Sequence, residues 1–184
     1  MGSDPQQVAR RVADRVLADS PTLGPGRLVC IDGPAGSGKT TLAAALADVV
    51  PDTRVVHCDE LLQGWSGLPG LADTVEALLR PLAAGEVGEW RRWDWHADGW
   101  AETNVVRPGG LLVLEGVGCW APAVADLVGL LVWVEAASDL RLARGMERDG
   151  EAMRAHWEQW RLDEDALFAR LGTRGRADLV VATD

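Results

Sequence analysis

The run RLVCIDGPAGSGKTTLAAALADVV, residues 27–50, changes its pattern twice. Its first six residues are a short apolar run closed by glycine, which predicts a buried strand from Arg27 to Asp32. From Lys39 onward an alanine- and leucine-rich segment forms helix readily and stops at Pro51. Between the two, GPAGSGKT satisfies the spacing GxxxxGK[ST] at each fixed position, with Gly33, Gly38, Lys39 and Thr40. A glycine-rich turn from strand into helix lets successive backbone N–H groups face one concavity, and the helix directs the positive end of its dipole there. The sequence therefore predicts a phosphate cradle of Gly33, Pro34, Ala35, Gly36, Ser37, Gly38, Lys39, Thr40 and Thr41. In that cradle Lys39 is expected to project toward phosphate rather than into packing, and the Thr40 hydroxyl to face magnesium.

The charge pattern points the same way. Of 18 basic residues only Lys39 is a lysine, so arginine fills every other cationic role. The exception marks a place that needs a compact ammonium on a flexible stem. With 28 acidic residues the net charge is −10, which argues against nucleic acid as a partner. The first residues, MGSDPQQVARRVADRVLADS, contain no apolar run, and the most apolar later stretch, residues 110–137, is broken by Glu115 and Asp126. Neither export nor a membrane partner is indicated. Cys30, Cys58 and Cys119 are odd in number and form no CxxC pair, as expected of reduced thiols in a cytoplasmic protein. A chain of 184 residues suits a single domain, 1–184.

Further along, the pattern predicts a polar helix from about Pro5 to Asp19 and a second strand, TRVVHCD, ending at Asp59. LADTVEALLRPLAAG then reads as a helix, LLVLEG as a third strand ending at Glu115, and GLLVWVEA as a fourth. A long helical region from Ser138 to Leu171 precedes a last strand, ADLVVA. Strands alternating with helices predict an α/β fold of P-loop NTPase type, a five-stranded parallel sheet with helices on both faces. Residues 27–58 would form its phosphate-loop unit and residues 139–172 a helical lid. The segment 86–107 fits neither period and is expected to be a hairpin or ordered loop outside the sheet.

Asp59 and Glu115 fall at the C-terminal ends of predicted strands, where ligands bind in an open parallel sheet and where the phosphate loop also emerges. A carboxylate there can hold magnesium or accept the proton of an acceptor hydroxyl as a phosphoryl group arrives. Arg141, Arg144 and Arg148 follow at helical spacings of three and four and can share one face.

The phosphate loop, the acid in HCDELLQGW, the LEG ending of the third strand and RLARGMERD entering the lid resemble the uridine kinase family of P-loop kinases, from Arg27 to the C-terminus. The resemblance implies an ATP- and magnesium-dependent enzyme in which Asp59 is the base at the acceptor hydroxyl, with Glu60 a weaker competitor. It implies magnesium at Thr40 and Glu115, and lid arginines over the transferring phosphate: Arg144 with Lys39 in catalysis, Arg141 and Arg148 in holding ATP. The chain departs from the family after its acid, where Leu61 and Leu62 replace an aromatic pair, and its substrate hairpin is the compact WDWHADGW.

Nine tryptophans and no tyrosine are an unusual balance, and Trp90, Trp93, Trp95 and Trp100 lie close together in that segment. Indoles there either stack on a flat acceptor, with Asp59, Arg91, Trp93, Trp95 and His96 forming its site, or pack a small subdomain. The function expected is phosphoryl transfer from ATP to a hydroxyl of a small metabolite, nucleoside or nucleoside-like. The alternative is a regulatory P-loop ATPase or a nucleotide-binding protein without such an acceptor. No pattern fixes an oligomeric state.

Overall fold

The structure, a computed structural model, describes residues 4–183. In chain order its elements are α1 (Pro5–Ala18), β1 (Arg27–Asp32), α2 (Lys39–Val49), β2 (Arg54–His57), α3 (Leu71–Ala83), β3 (Gly88–Asp94) and β4 (Gly99–Val106), then β5 (Leu111–Glu115), β6 (Leu130–Glu135), α4 (Ser138–Asp149), α5 (Arg154–Leu171), α6 (Thr173–Arg176) and β7 (Leu179–Ala182). Five strands form a parallel sheet in the order β2-β5-β1-β6-β7. Its central strands are apolar on both sides because helices cover both faces. Leu28, Cys30, Leu112 and Leu114 pack on the side of α3 and Trp160, whereas Val29, Ile31, Val113 and Val132 face α1 and α2.

Several elements differ from the sequence expectation. The first helix is not simply polar: Val8, Ala9, Val12, Ala13 and Val16 form a buried stripe against α2. The spacing of that stripe is helical, and the exposed arginines and aspartates around it hide it from a composition reading. Strand β2 ends at His57, and Asp59 lies in a 3-10 turn, Cys58–Leu61. The region after β6 is two helices rather than one, broken at Gly150 with φ 87° and followed by a short 3-10 turn, Glu151–Met153.

Strands β3 and β4 form the separate antiparallel hairpin, with a register shift between Arg91 and Trp93. Its turn is held by Asp94, whose Oδ1 accepts from the N–H groups of His96 and Ala97 at 2.9 Å each. Cys30, Cys58 and Cys119 are free and buried. Among the described residues no helix is long and apolar enough to cross a membrane.

Candidate active site

The C-terminal ends of β1, β2 and β5 open onto one cavity of about 1190 Å³. Parallel pairing brings its acids together. Residue Glu115 is the register partner of both Ile31 and His57, so the end of β5 lies between the phosphate loop and the start of the Asp59 turn.

At the end of β1 the buried Asp32 accepts from the N–H groups of Gly33 at 2.7 Å, Gly118 at 2.8 Å and Trp120 at 3.1 Å. It ties the entry of the phosphate loop to the loop after β5. Burial pushes its carboxyl well above the usual aspartate range, against the pull of those three donors. Gly33 has φ 140°, and a Cβ there would collide with the Val134 carbonyl of β6, so this bend requires glycine.

Of the expected cradle, Ala35, Gly36, Gly38, Lys39, Thr40 and Thr41 line the cavity, whereas Gly33, Pro34 and Ser37 lie behind it. Lys39 is buried instead of projecting freely: its Nζ donates to the Pro34 carbonyl at 2.9 Å. An ammonium has three donors, so this contact leaves others for a phosphate oxygen.

Glu115 is almost wholly buried. Its Oε1 accepts from Thr40 Oγ1 at 3.0 Å and lies 2.5 Å from His57 Nδ1. That hydrogen bond is the chief reason the His57 imidazole is raised above its ordinary pKa. Asp59 lines the same cavity, and its carboxyl is also raised, first by the enclosing walls and then by the charge of Glu115. Its exposed surface faces the cavity.

The side of the cavity beside Asp59 is aromatic, with only part of the expected set: Trp95 and His96 reach it, whereas Trp93 and Arg91 do not. Trp95 Nε1 donates to the Asp59 carbonyl at 3.0 Å. Trp93 is buried beneath it, packed on Gly64 and edge-on to Trp100. Arg91 turns away along β4 to the carbonyls of Ala101 and Trp100. Trp93 and Arg91 both lie within β3, whereas Trp95 and His96 lie in the turn beyond it.

Sequence reasoning missed Trp65, which stands edge-on to Trp95 at 5.4 Å and to Trp160 at 5.9 Å, and stacks on His156 at 5.3 Å. It lies in the loop behind Leu61 and Leu62, both buried, and so supplies an aromatic wall a few residues past the family's usual place. Its only signal was its position in HCDELLQGW.

The lid arginines divide by role. Arg148 reaches the cavity beside Asp59, pairs with Asp149 and lies 5.7 Å over the Trp157 ring. Arg144 lines the cavity while its Nη1 donates to the Gly36 carbonyl at 3.0 Å. Arg141 does not reach the cavity: it is buried, and its Nη1 donates to Glu164 at 2.8 Å and to the Ala35 carbonyl at 3.2 Å. Glu60 is not among the residues lining the cavity.

A parallel sheet of this order with such a loop defines a P-loop α/β fold. Within that class, the profile of the phosphoribulokinase / uridine kinase family matches residues 71–159, which carry the hairpin, Glu115 and most of the lid. Uridine kinase-like protein 3 of Arabidopsis thaliana is 26% identical over 155 residues, covering 72% of this chain and 33% of that protein. The chain thus spans about a third of that relative's length. Among solved structures, a possible uridine kinase from Bacillus stearothermophilus superposes with a TM-score of 0.68 at 19% identity, covering 96% of this chain and 98% of that one. A D-glycerate 3-kinase from Cryptococcus neoformans gives 0.52 at 13% identity, covering 95% and 88%. Over these stretches the chain is similar to uridine kinase-like proteins, and its fold is shared with the solved structures.

Proposed function

We propose that this chain transfers the terminal phosphoryl group of ATP to a hydroxyl of a small ring-bearing metabolite of nucleoside type. One observation carries the reading: a single cavity joins the phosphate loop, through Thr40 and Glu115, to a carboxylate, Asp59, flanked by indoles. Phosphoryl transfer asks a protein chiefly for positioning and charge stabilisation, and each part has a residue here.

The loop N–H groups and Lys39 would hold the phosphates. The donor set suits ATP with magnesium: Thr40 and Glu115 offer hard oxygens 3.0 Å apart. Among the described residues no three histidines, cysteines or carboxylates gather into a metal cage, which fits an ion that keeps its waters and phosphate oxygens. Magnesium bound there would offset charge on the transferring group.

Asp59 would accept the proton of the acceptor hydroxyl, its raised pKa moving it toward the range of an effective base. Trp65 and Trp95 would seat the ring, and Arg148 would approach the transferring group from the lid. The test is ATP consumption with magnesium, screened over nucleosides, sugars, amino alcohols and vitamin precursors. Stimulation by a ring-bearing alcohol supports the reading. Hydrolysis indifferent to every acceptor would instead make the protein a regulatory ATPase.

A further inference from the structure

Four successive carbonyl oxygens of the phosphate loop each have a side-chain donor. The Pro34 oxygen takes Lys39 Nζ at 2.9 Å, Ala35 takes Arg141 Nη1 at 3.2 Å, Gly36 takes Arg144 Nη1 at 3.0 Å, and Ser37 takes Thr183 Oγ1 at 2.6 Å. In a trans peptide the C=O of one residue and the N–H of the next point in opposite directions. Carbonyls of Ala35 and Ser37 drawn out toward the lid and the end of β7 therefore turn the N–H groups of Gly36 and Gly38 inward, while the Ser37 N–H closes a turn on the Pro34 carbonyl at 3.3 Å.

The Pro34–Ala35 peptide is reversed. Its oxygen faces Lys39, so its N–H points outward, and Glu164 Oε2 accepts it at 2.8 Å. Glu164 is fully buried in α5, and its other oxygen takes the Arg141 guanidinium at 2.8 Å. The pair thereby holds both polar groups of Ala35. It also seats α4 against the loop, since a Cβ on Gly36 would come within 2.7 Å of the Arg141 carbonyl. Stability alone is a poor reason for this arrangement: Arg141 Nε is buried without a partner, and a desolvated ion pair is often replaceable by apolar groups at no cost.

We infer that Glu164, held by Arg141, is a positioning residue for the phosphate loop, fixing the peptide orientations on either side of Ala35 so that the following N–H groups face phosphate. The inference rests on the reading of this loop as the ATP site. It makes Arg141 part of the loop's scaffold rather than a phosphate ligand.

The test compares the full chain with Glu164→Gln and with the double variant Arg141→Met/Glu164→Leu. Both groups facing Glu164 are donors, and Gln has one acceptor oxygen, so it can satisfy only one of them. The double variant removes the pair at similar volume, so no buried charge is left unpaired, although the Ala35 N–H and C=O lose their partners. Mg·ATP affinity is measured by calorimetry on the folded protein, with amide exchange at Ala35 as a second readout. The expected result is a Kd raised roughly tenfold or more in the double variant and less in Glu164→Gln, equivalent to about 1.4 kcal/mol at tenfold. The Ala35 amide loses protection in the double variant by more than its change in melting temperature accounts for. A Glu164→Gln or double variant that binds Mg·ATP like the parent overturns the positioning role alone, even if its melting temperature falls. A parent that does not bind Mg·ATP overturns this inference together with the function proposed above.

Discussion

Glu115 ends β5 and Asp59 lies in the turn just past the end of β2, and their surroundings differ. Glu115 is closed in by Thr40 and His57 and has little freedom to move, as suits a group that orients a metal. Asp59 is open to the cavity and elevated in pKa, as suits a base. Asp59→Asn should lower turnover by roughly a hundred- to ten-thousand-fold while ATP affinity barely changes. For the parent, lowering the pH protonates Asp59 and removes the base. The acid limb of kcat/KM should accordingly lie above the ordinary aspartate value of 3.8 and disappear in the residual activity of Asp59→Asn. A limb that persists in the variant belongs to another group. Glu115→Gln leaves Thr40 without its carboxylate partner and should raise the magnesium concentration needed for half-maximal rate; an unchanged magnesium titration removes Glu115 from the metal site. Both acids were legible because strand ends and ligand sites coincide in parallel sheets. His57, Asp32 and Glu164 were not, since each acquires its role from a residue or backbone group that only the tertiary fold brings near.

At the scale of elements the hairpin offers the sharpest contrast, because neighbouring indoles have opposite fates. Trp93 is buried in packing on Gly64 and Trp100, whereas Trp95 is 37% exposed in the cavity and bonded to the Asp59 carbonyl. Truncating a packed indole costs about 3–5 kcal/mol, and for a chain of this length each kcal/mol moves the melting temperature by about 2–4 °C. Trp93→Ala should therefore melt much earlier with little change in either KM of the surviving fold. Trp95→Ala should melt close to the parent and raise the acceptor KM roughly tenfold or more, with that of ATP nearly unchanged. An acceptor KM that stays put in Trp95→Ala sinks the aromatic wall. Sequence alternation identified the hairpin but not which indole faces inward, since Trp93 lies within β3 whereas Trp95 lies in the turn just past its last residue, Asp94. The helical lid was legible for a similar reason and within similar limits. Its arginine spacing was visible, but the break at Gly150 and the burial of Arg141 depend on where α5 returns over the loop.

The whole molecule joins two ligand regions that are built differently. On the nucleotide side the loop is held from behind by α4, α5 and the residue after β7. On the acceptor side three separate segments, the loop carrying Trp65, the hairpin carrying Trp95 and α5 carrying Trp160, already touch through their rings. Strand count and parallel pairing were readable from alternation along the chain, but the order β2-β5-β1-β6-β7 was not, because β1 is placed between β5 and β6 instead of beside β2, the strand that follows it. That order is what brings Thr40, Glu115 and His57 together. If both regions are preformed, each ligand should stabilise the fold alone. A ligand at about 100 times its Kd adds about 2.7 kcal/mol, which corresponds to a rise of roughly 5–11 °C in a domain of this size. Mg·ATP should produce that rise in the parent and lose most of it in Lys39→Met, which keeps the buried stem and removes the ammonium. An acceptor found by the ATP-consumption screen should raise the melting temperature without nucleotide, and should do so equally in Lys39→Met. An acceptor shift that appears only with nucleotide present would mean that the aromatic wall is assembled by lid closure, and the preformed acceptor site would be wrong.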